Sequence, residues 1–481
     1  MGQDIRSAHF AARDFARFER ALREETQHAH DLFERGGFSA REPMVGLELE
    51  AWLVDREGRP APRNEEFLAR LQSSDVVTEL GRFQFELNVP PQPLAGTGLS
   101  RLAQGFQATW SACCRTAAEM GLRALAIGIL PTLRDDDLCL ANISNRARYR
   151  ALNEQVLRSR AGRPIRLDIE GTDGARLRSE HRDVMLEAGT TSLQAHLQTP
   201  PQWAARAYNA SIIASAATVA LAANAPMLFG HRLAHDTRIA LFEQALDIGT
   251  REGSYRGIVP RVTFGTGYAG YSLAECFREN LDLFPVMLPI VSSEPSVRLA
   301  HLRLHNGTIW RWNRALIGFD GDGTPHLRVE HRPMSAGPTI ADMMANLAFY
   351  YGLVGWLVQC DEPPELRLPF HAARANLYAA ARFGLAAEVH WLDGDRVRIG
   401  ELVTESLLDH AAAGLDRFGV DAAWAKRTLQ LIADRAEMGQ TGAVWQRRWL
   451  SRHGPDMTAL TDAYASRQVD GAPVHQWDTA S

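Results

Sequence analysis

Lysine is almost absent from this chain. Lys426 stands alone, so 51 of the 52 basic residues are arginine. A phosphate-cradling GxxxxGK[ST] loop and a kinase-type strand lysine are both excluded. Lys426 lies in Trp424-Ala425-Lys426-Arg427 with no Gly-rich loop before it, which also argues against a Schiff-base lysine. If phosphate is handled here, arginine and metal must do it. Cysteine is scarce as well. Cys113, Cys114, Cys139, Cys276 and Cys360 are odd in number and include no CxxC, against a disulfide framework or a structural zinc site. No apolar run reaches the roughly 20 residues of a membrane span; the longest, from Ile212 to Ala225, is Ala-rich and broken by Ser215 and Asn224, as in a buried helix. Residues 1–23 are charged throughout and lack a signal-peptide core, so the expected compartment is the cytoplasm. A net charge of −5 supplies no basic field for nucleic acid. What remains is the composition of a globular protein, 46% hydrophobic and 23% charged.

Four short segments show an uncommon alternation. In Gly46-Leu47-Glu48-Leu49-Glu50, residues i and i+2 of a strand share a face, so Glu48 and Glu50 stand side by side while Leu47, Leu49 and Leu53 point into a core. Paired carboxylates repel unless positive charge lies between them, and a divalent cation would supply it. Phe83-Gln84-Phe85-Glu86-Leu87-Asn88-Val89 puts Gln84, Glu86 and Asn88 on one face, with Pro90-Pro91 ending the strand. Ser192 to Gln198 aligns Ser192, Gln194, His196 and Gln198. His326 to Arg332 aligns His326, Arg328, Glu330 and Arg332. Together they predict an antiparallel sheet with one face on a core and the other holding a ligand.

Charged helices are expected over 5–36, strands over 44–54, 76–90, 122–130, 190–199 and 326–332, and helices over 98–120, 144–160, 201–224 and 338–360. Residues 55–64 read as a Pro/Gly loop and 226–270 as loop-rich. Asn306-Gly307 predicts a hairpin joining 299–305 to 308–314. Residues 370–466 read as almost entirely helical. There is no internal repeat. The fold class is α+β, divided into an N-terminal helical segment (1–43), a catalytic antiparallel-sheet domain (44–365) and a helical C-terminal region packed on it (366–481).

Carboxylates on neighbouring strands with arginines opposite suit a site for a hard cation and a nucleotide. Taken singly, each has a plainer reading: edge-strand acids, a loop acid at Glu79, a core histidine at His196, an ion pair at Glu330/Arg332, a lone arginine at Arg238, a helix end at Asn224. Spacing does not separate a metal–nucleotide site from a two-metal hydrolase.

The ordered motifs resemble one family. Gly46-Leu47-Glu48-Leu49-Glu50 is similar to the GxExE first strand of glutamate–cysteine ligases, in their plant-like and bacterial carboxylate–amine ligase branch. Glu79-Leu80-Gly81 with Gln84-Phe85-Glu86-Leu87, the Arg148-Tyr149 pair, Thr191-Ser192-Leu193-Gln194-Ala195-His196, Ala223-Asn224-Ala225-Pro226 with Thr237-Arg238, Glu330-His331-Arg332, and Gly442 with Gln446-Arg447 follow in that branch's order. The resemblance implies a glutamine-synthetase/guanido-kinase-like curved sheet with helices on one face, binding ATP and Mg²⁺ (or Mn²⁺). It implies Glu48, Glu50, Glu86, Glu330 and His196 as metal ligands and Arg238 and Arg332 as catalytic residues. Glu79, Gln194, Arg148, Tyr149 and Asn224 would contact substrate or ATP. The implied reaction joins the glutamate γ-carboxylate to the amine of cysteine, or of another acceptor, through an acyl phosphate. The partners would be these small molecules, without nucleic acid or membrane, in a monomer or homo-oligomer. A metal-dependent hydrolase or phosphoryl transferase and a non-catalytic binding subunit are the rival classes. Two features depart from the branch: Pro333-Met334-Ser335 replaces an acid after the Glu-x-Arg strand, and seven positions separate Glu79 from Glu86.

Overall fold

The computed structural model describes residues 10–249 and 259–479. Its centre is a seven-stranded antiparallel sheet. The strands are β1 (Met44–Val54), β2 (Val76–Thr78), β3 (Gln84–Pro93), β4 (Arg123–Leu125), β7 (Ser192–Thr199), β8 (Asn313–Phe319) and β9 (Pro325–Ser335). Their order is β8-β9-β7-β1-β3-β2, with β4 paired to the end of β1. A separate hairpin, β5 (Ile165–Glu170) with β6 (Arg176–His181), was not foreseen. Its apolar positions alternate with charge on both strands and read as a solvent-facing stretch.

The alternation does what it predicts. Leu47, Leu49, Ala51 and Leu53 of β1, Phe85, Leu87 and Val89 of β3, Leu193, Ala195 and Leu197 of β7, and Leu327 and Val329 of β9 are all buried. They meet helices on one side of the sheet: α1 (Gly98–Glu119) lies on β3 and α2 (Pro201–Ala222) on β9. Burying each Leu or Val side chain contributes about 1.5–3 kcal/mol. Nearly all of α2 is enclosed, and its run of alanines lets the backbone approach the sheet closely. Polar residues within this layer satisfy one another: His331 bonds Thr218 Oγ1 (2.8 Å) and Asn313 Oδ1 (2.7 Å) and stacks on Tyr350. Between His331 and Met334 the β9–β7 register shifts by one residue. This bulge changes the aim of Arg332.

Several expectations are corrected. The Asn306-Gly307 hairpin does not form; Ala300–Gly307 is a helix. Asn306 docks its end, donating to Ala315 O (2.8 Å) and accepting from Asn280 Nδ2 (2.8 Å). The partner of β9 is β8, and their turn spans Asp320 to Thr324, with Gly323 at φ +87°. Pro90-Pro91 does not end β3, which runs on to Pro93 against Met44. The predicted strand over 122–130 shrinks to three residues. The loop-rich 226–270 contains a helix, Thr237–Ala245; positions 250–258 of that stretch lie outside the described residues. The helical 370–466 contains a small hairpin, Glu388–His390 with Arg396–Arg398.

The C-terminal helices are tied to the sheet layer by a buried ion pair. Arg435, on helix Ala422–Met438, meets Asp342 Oδ1 at 2.8 Å and donates to Leu221 O (3.1 Å) at the end of α2. Asp342 also accepts from Thr339 Oγ1 (2.7 Å) and Val474 N (3.1 Å). Among the described residues no helix is long and apolar enough to cross a membrane. Arg435→Ala would strand the Asp342 charge, so denaturant unfolding should show a loss of about 3–5 kcal/mol.

Candidate functional site

The polar face of the sheet floors a cavity of about 550 Å³. Register places its members. Glu48 lies opposite Gln194 on β7 and Asn88 on β3; Glu50 lies opposite Glu86; His196 faces Glu330, which faces Arg314 on β8. The four alternating strands therefore converge because they are neighbours in one sheet.

Glu48, Glu50, Glu79, Glu86, Arg148, Tyr149, Gln194, Arg238, Glu330 and Arg332 all line this cavity. His196 sits in the floor, its Nε2 2.9 Å from Glu48 Oε1. Asn224 does not belong to the site, contrary to the motif reading. It is fully buried, donating to Ala336 O (2.7 Å) and Tyr464 OH (2.8 Å) and accepting from Gln446 Nε2 (2.9 Å). It braces the helical layer.

The cationic groups are held in place. Arg314 grips Glu330 through two nitrogens, at 2.8 and 3.1 Å. Arg332 Nη1 reaches Glu330 (3.0 Å) and Gln194 Oε1. Arg238 donates to the carbonyls of Arg332 and Pro333 at the β9 bulge and lies over the Trp312 ring at 5.3 Å. Gln194 Nε2 and Ser192 N donate to Glu50 at 2.8 and 2.7 Å, and Asn88 Nδ2 donates to Glu86 at 2.9 Å. Arg148 donates to Tyr149 OH (2.6 Å).

One donor of each of Glu48, His196 and Glu330 lies within 4.8 Å of the other two, and neither ring nitrogen of His196 makes an aligned hydrogen bond. Two carboxylates and an imidazole suit a divalent cation. Glu50 and Glu86, grouped with these ligands by motif, stand outside the cluster and are occupied by amide and backbone donors.

The acids titrate apart. Burial raises Glu48, but contact with His196 outweighs it and takes the carboxyl down to about 2. Burial, then Glu79, pushes Glu50 up to about 7, and burial with Glu48 raises Glu86 well above its ordinary value. Glu187 was missed by sequence reasoning. It lies on the turn Met185–Gly189, and burial with Glu79 and Glu50 raises it to about 8. No alternation marks that turn. Arg314 was missed because the false hairpin hid its strand; the Ala315-Leu316-Ile317 run beside it was the available signal.

A family model described as glutamate-cysteine ligase family 2 (GCS2) matches residues 44–466. The chain belongs to this family. It is thus an ATP-dependent ligase that forms C–N bonds, using ATP and a divalent metal. Solved structures resemble it, among them two enzymes. One is the glutamate–cysteine ligase of Francisella tularensis in complex with AMP, at 11% identity and TM-score 0.54, covering 92% of this chain and 91% of that one. The other is a bifunctional glutathione synthetase from Pasteurella multocida, at 13% identity and TM-score 0.51, covering 92% of this chain and 54% of that one. A search of curated proteins finds no match.

A cation held by Glu48, His196 and Glu330 disfavours the proton on the neighbouring Glu50. Glu50 holds a proton in the fold up to about pH 7, while its ordinary value is 4.5. Its contribution to stability is therefore full below about pH 4.5 and lost as pH rises through 7. Adding Mn²⁺ or Mg²⁺ should raise the melting temperature more at pH 8.5 than at pH 6, measured by calorimetry. An equal rise at both would contradict the assignment.

Proposed function

We propose that the protein activates the γ-carboxylate of glutamate with ATP and joins it to the amine of cysteine, with another amine as the alternative acceptor. The observation that carries this reading is the Glu48–His196–Glu330 cluster with Arg332 and Arg238 beside it on one cavity. A cation held there, Mg²⁺ or Mn²⁺, would neutralise phosphate oxygens and orient them. Arg238 and Arg332 would hold the carboxylate, or the phosphoryl group it accepts, in line. They are preorganised by the bulge carbonyls, Glu330 and Gln194, so little reorganisation is needed during reaction. Phe242, Trp310 and Trp312 wall one side of the cavity and would keep water from the activated carboxyl.

In the first step a carboxylate oxygen attacks the terminal phosphorus of ATP and ADP leaves. In the second the amine attacks the acyl carbon and phosphate leaves. No covalent enzyme intermediate is required, which agrees with the cysteines. Burial pushes Cys113, Cys114 and Cys276 up to about 12, 11 and 11, and none lines the cavity. The Francisella tularensis enzyme, of similar fold, is in complex with AMP, which supports nucleotide binding by this protein. The expected compartment is the cytoplasm, and residues 44–365 would form the catalytic domain with helical segments on either side.

ADP release measured with glutamate, Mg²⁺ and a panel of amines should rise with cysteine or one other acceptor. No stimulation by any amine would end the ligase reading. Glu50→Gln should lower ATP turnover roughly 10–100-fold, the cost of losing a group beside the metal ligands, without lowering the melting temperature. Unchanged turnover would remove Glu50 from the site.

A further inference from the structure

Six carboxylates face the cavity, and five are engaged. Glu48 meets His196, Glu50 accepts from Ser192 and Gln194, Glu79 from the Leu80 N–H, Glu86 from Asn88, and Glu330 from Arg314 and Arg332. Glu187 differs. Its side chain lines the cavity, yet its Oε2 is closed off from solvent and has no hydrogen-bond partner among the described residues. A carboxylate oxygen left in that condition costs several kcal/mol unless a donor or a proton arrives.

The turn that carries it is rigid. Gln84 Nε2 on β3 donates to Ala188 O (3.0 Å) and Thr190 O (3.1 Å). Thr190 Oγ1 donates to Glu187 O (3.1 Å), and Asn153 Oδ1 holds the Val184 N–H (3.1 Å). Anchoring on both sides keeps the carboxyl aimed at the cavity. It is also set apart from the Glu48–His196–Glu330 cluster, so a cation there would leave it free.

Resting on the ligase reading above, we infer that Glu187 is the base that receives the acceptor's ammonium group and takes its proton. The acceptor R–NH₃⁺ gives a proton to the Glu187 carboxylate, leaving R–NH₂ and a carboxylic acid. The nitrogen lone pair forms the C–N bond at the acyl-phosphate carbon. The bond from that carbon to the phosphate oxygen breaks, and its electron pair departs with phosphate. The second N–H proton passes to the departing phosphate, and Glu187 returns its own proton to solvent. No oxidant or reductant is involved.

The environment suits this task. Burial, then Glu79 and Glu50, raise Glu187 to about 8, while Arg332 and Arg148 pull the other way. A base poised near the working pH is the effective one. His326, another lining group with an unpartnered atom, is turned away: its Nδ1 bonds Asp320 Oδ1 (2.9 Å) and its Nε2 packs on Gly318, where a Cβ would stand 2.3 Å away. No lysine or cysteine lines the cavity.

The test compares two acceptors. Hydroxylamine is already neutral near neutral pH and needs no base before it attacks; cysteine and alkylamines arrive protonated. In Glu187→Gln, turnover with the amine that serves the wild type should fall roughly 10²–10⁴-fold. Hydroxamate formation from glutamate, ATP and hydroxylamine should stay near the wild-type rate, which also shows that the variant is folded. Glu187→Asp should recover part of the amine reaction. Equal loss with both acceptors, or no loss with either, would overturn the role of Glu187. A wild-type enzyme that forms no hydroxamate from any carboxylate would instead sink the ligase reading, and this role with it.

Discussion

Mutual repulsion among carboxylates on one face of the sheet is the interaction around which the molecule is arranged. At the 4.8 Å limit of the Glu48–His196–Glu330 cluster, two like charges repel by about 3–4 kcal/mol at an effective dielectric of 20. The structure offsets this in three ways. Arg314, Arg332 and His196 sit against Glu330 and Glu48. Backbone and amide donors take up Glu50 and Glu86. Burial raises Glu50, Glu86 and Glu187 toward their protonated forms. A site that stores protons and arginine contacts in this way is ready to exchange them for a cation and a phosphate.

Such a surface is stable only because the opposite face is ordinary. Leu47, Leu49, Phe85, Leu193 and Leu327 are fully enclosed or nearly so, and the helices beneath them are themselves backed by the C-terminal helices through Arg435 and Asp342. The same layer explains Asn224. Placed just past the end of α2, it bridges Ala336, Tyr464 and Gln446, and so braces this layer. Its neighbourhood reaches the site indirectly, since Asp236 bonds Ser335 at 2.9 Å just after the β9 bulge that aims Arg332 and Arg238.

Much of the floor of the site was legible in the chain because a strand's period of two converts spacing directly into facing. Glu48 with Glu50, Glu86, Gln194 with His196, and Glu330 with Arg332 are each i,i+2 sets or sit within one. The walls were not legible. Glu187 stands on a short turn with no periodicity, and Arg314 sits on a strand whose start was misplaced by Asn306-Gly307. That dipeptide favours a tight turn locally, but its asparagine was claimed by Asn280 and Ala315 to end a helix instead. Pro90-Pro91 misled for a related reason: those prolines lie near the end of β3, where a missing N–H costs little.

By itself the sequence determined the alternating strands, the acid–arginine inventory, the lack of a lysine for phosphate or Schiff-base chemistry, and the membership that its ordered motifs announce. These follow from covalent order and from the two-residue period of the strand. Only the tertiary structure decided which acids share a cluster, which are neutralised by arginine, and which is left with an oxygen unsatisfied. Those distinctions depend on strand order, on a one-residue register shift in β9 and on the docking of a turn against Gln84. All three are set by long-range packing, which no local pattern encodes.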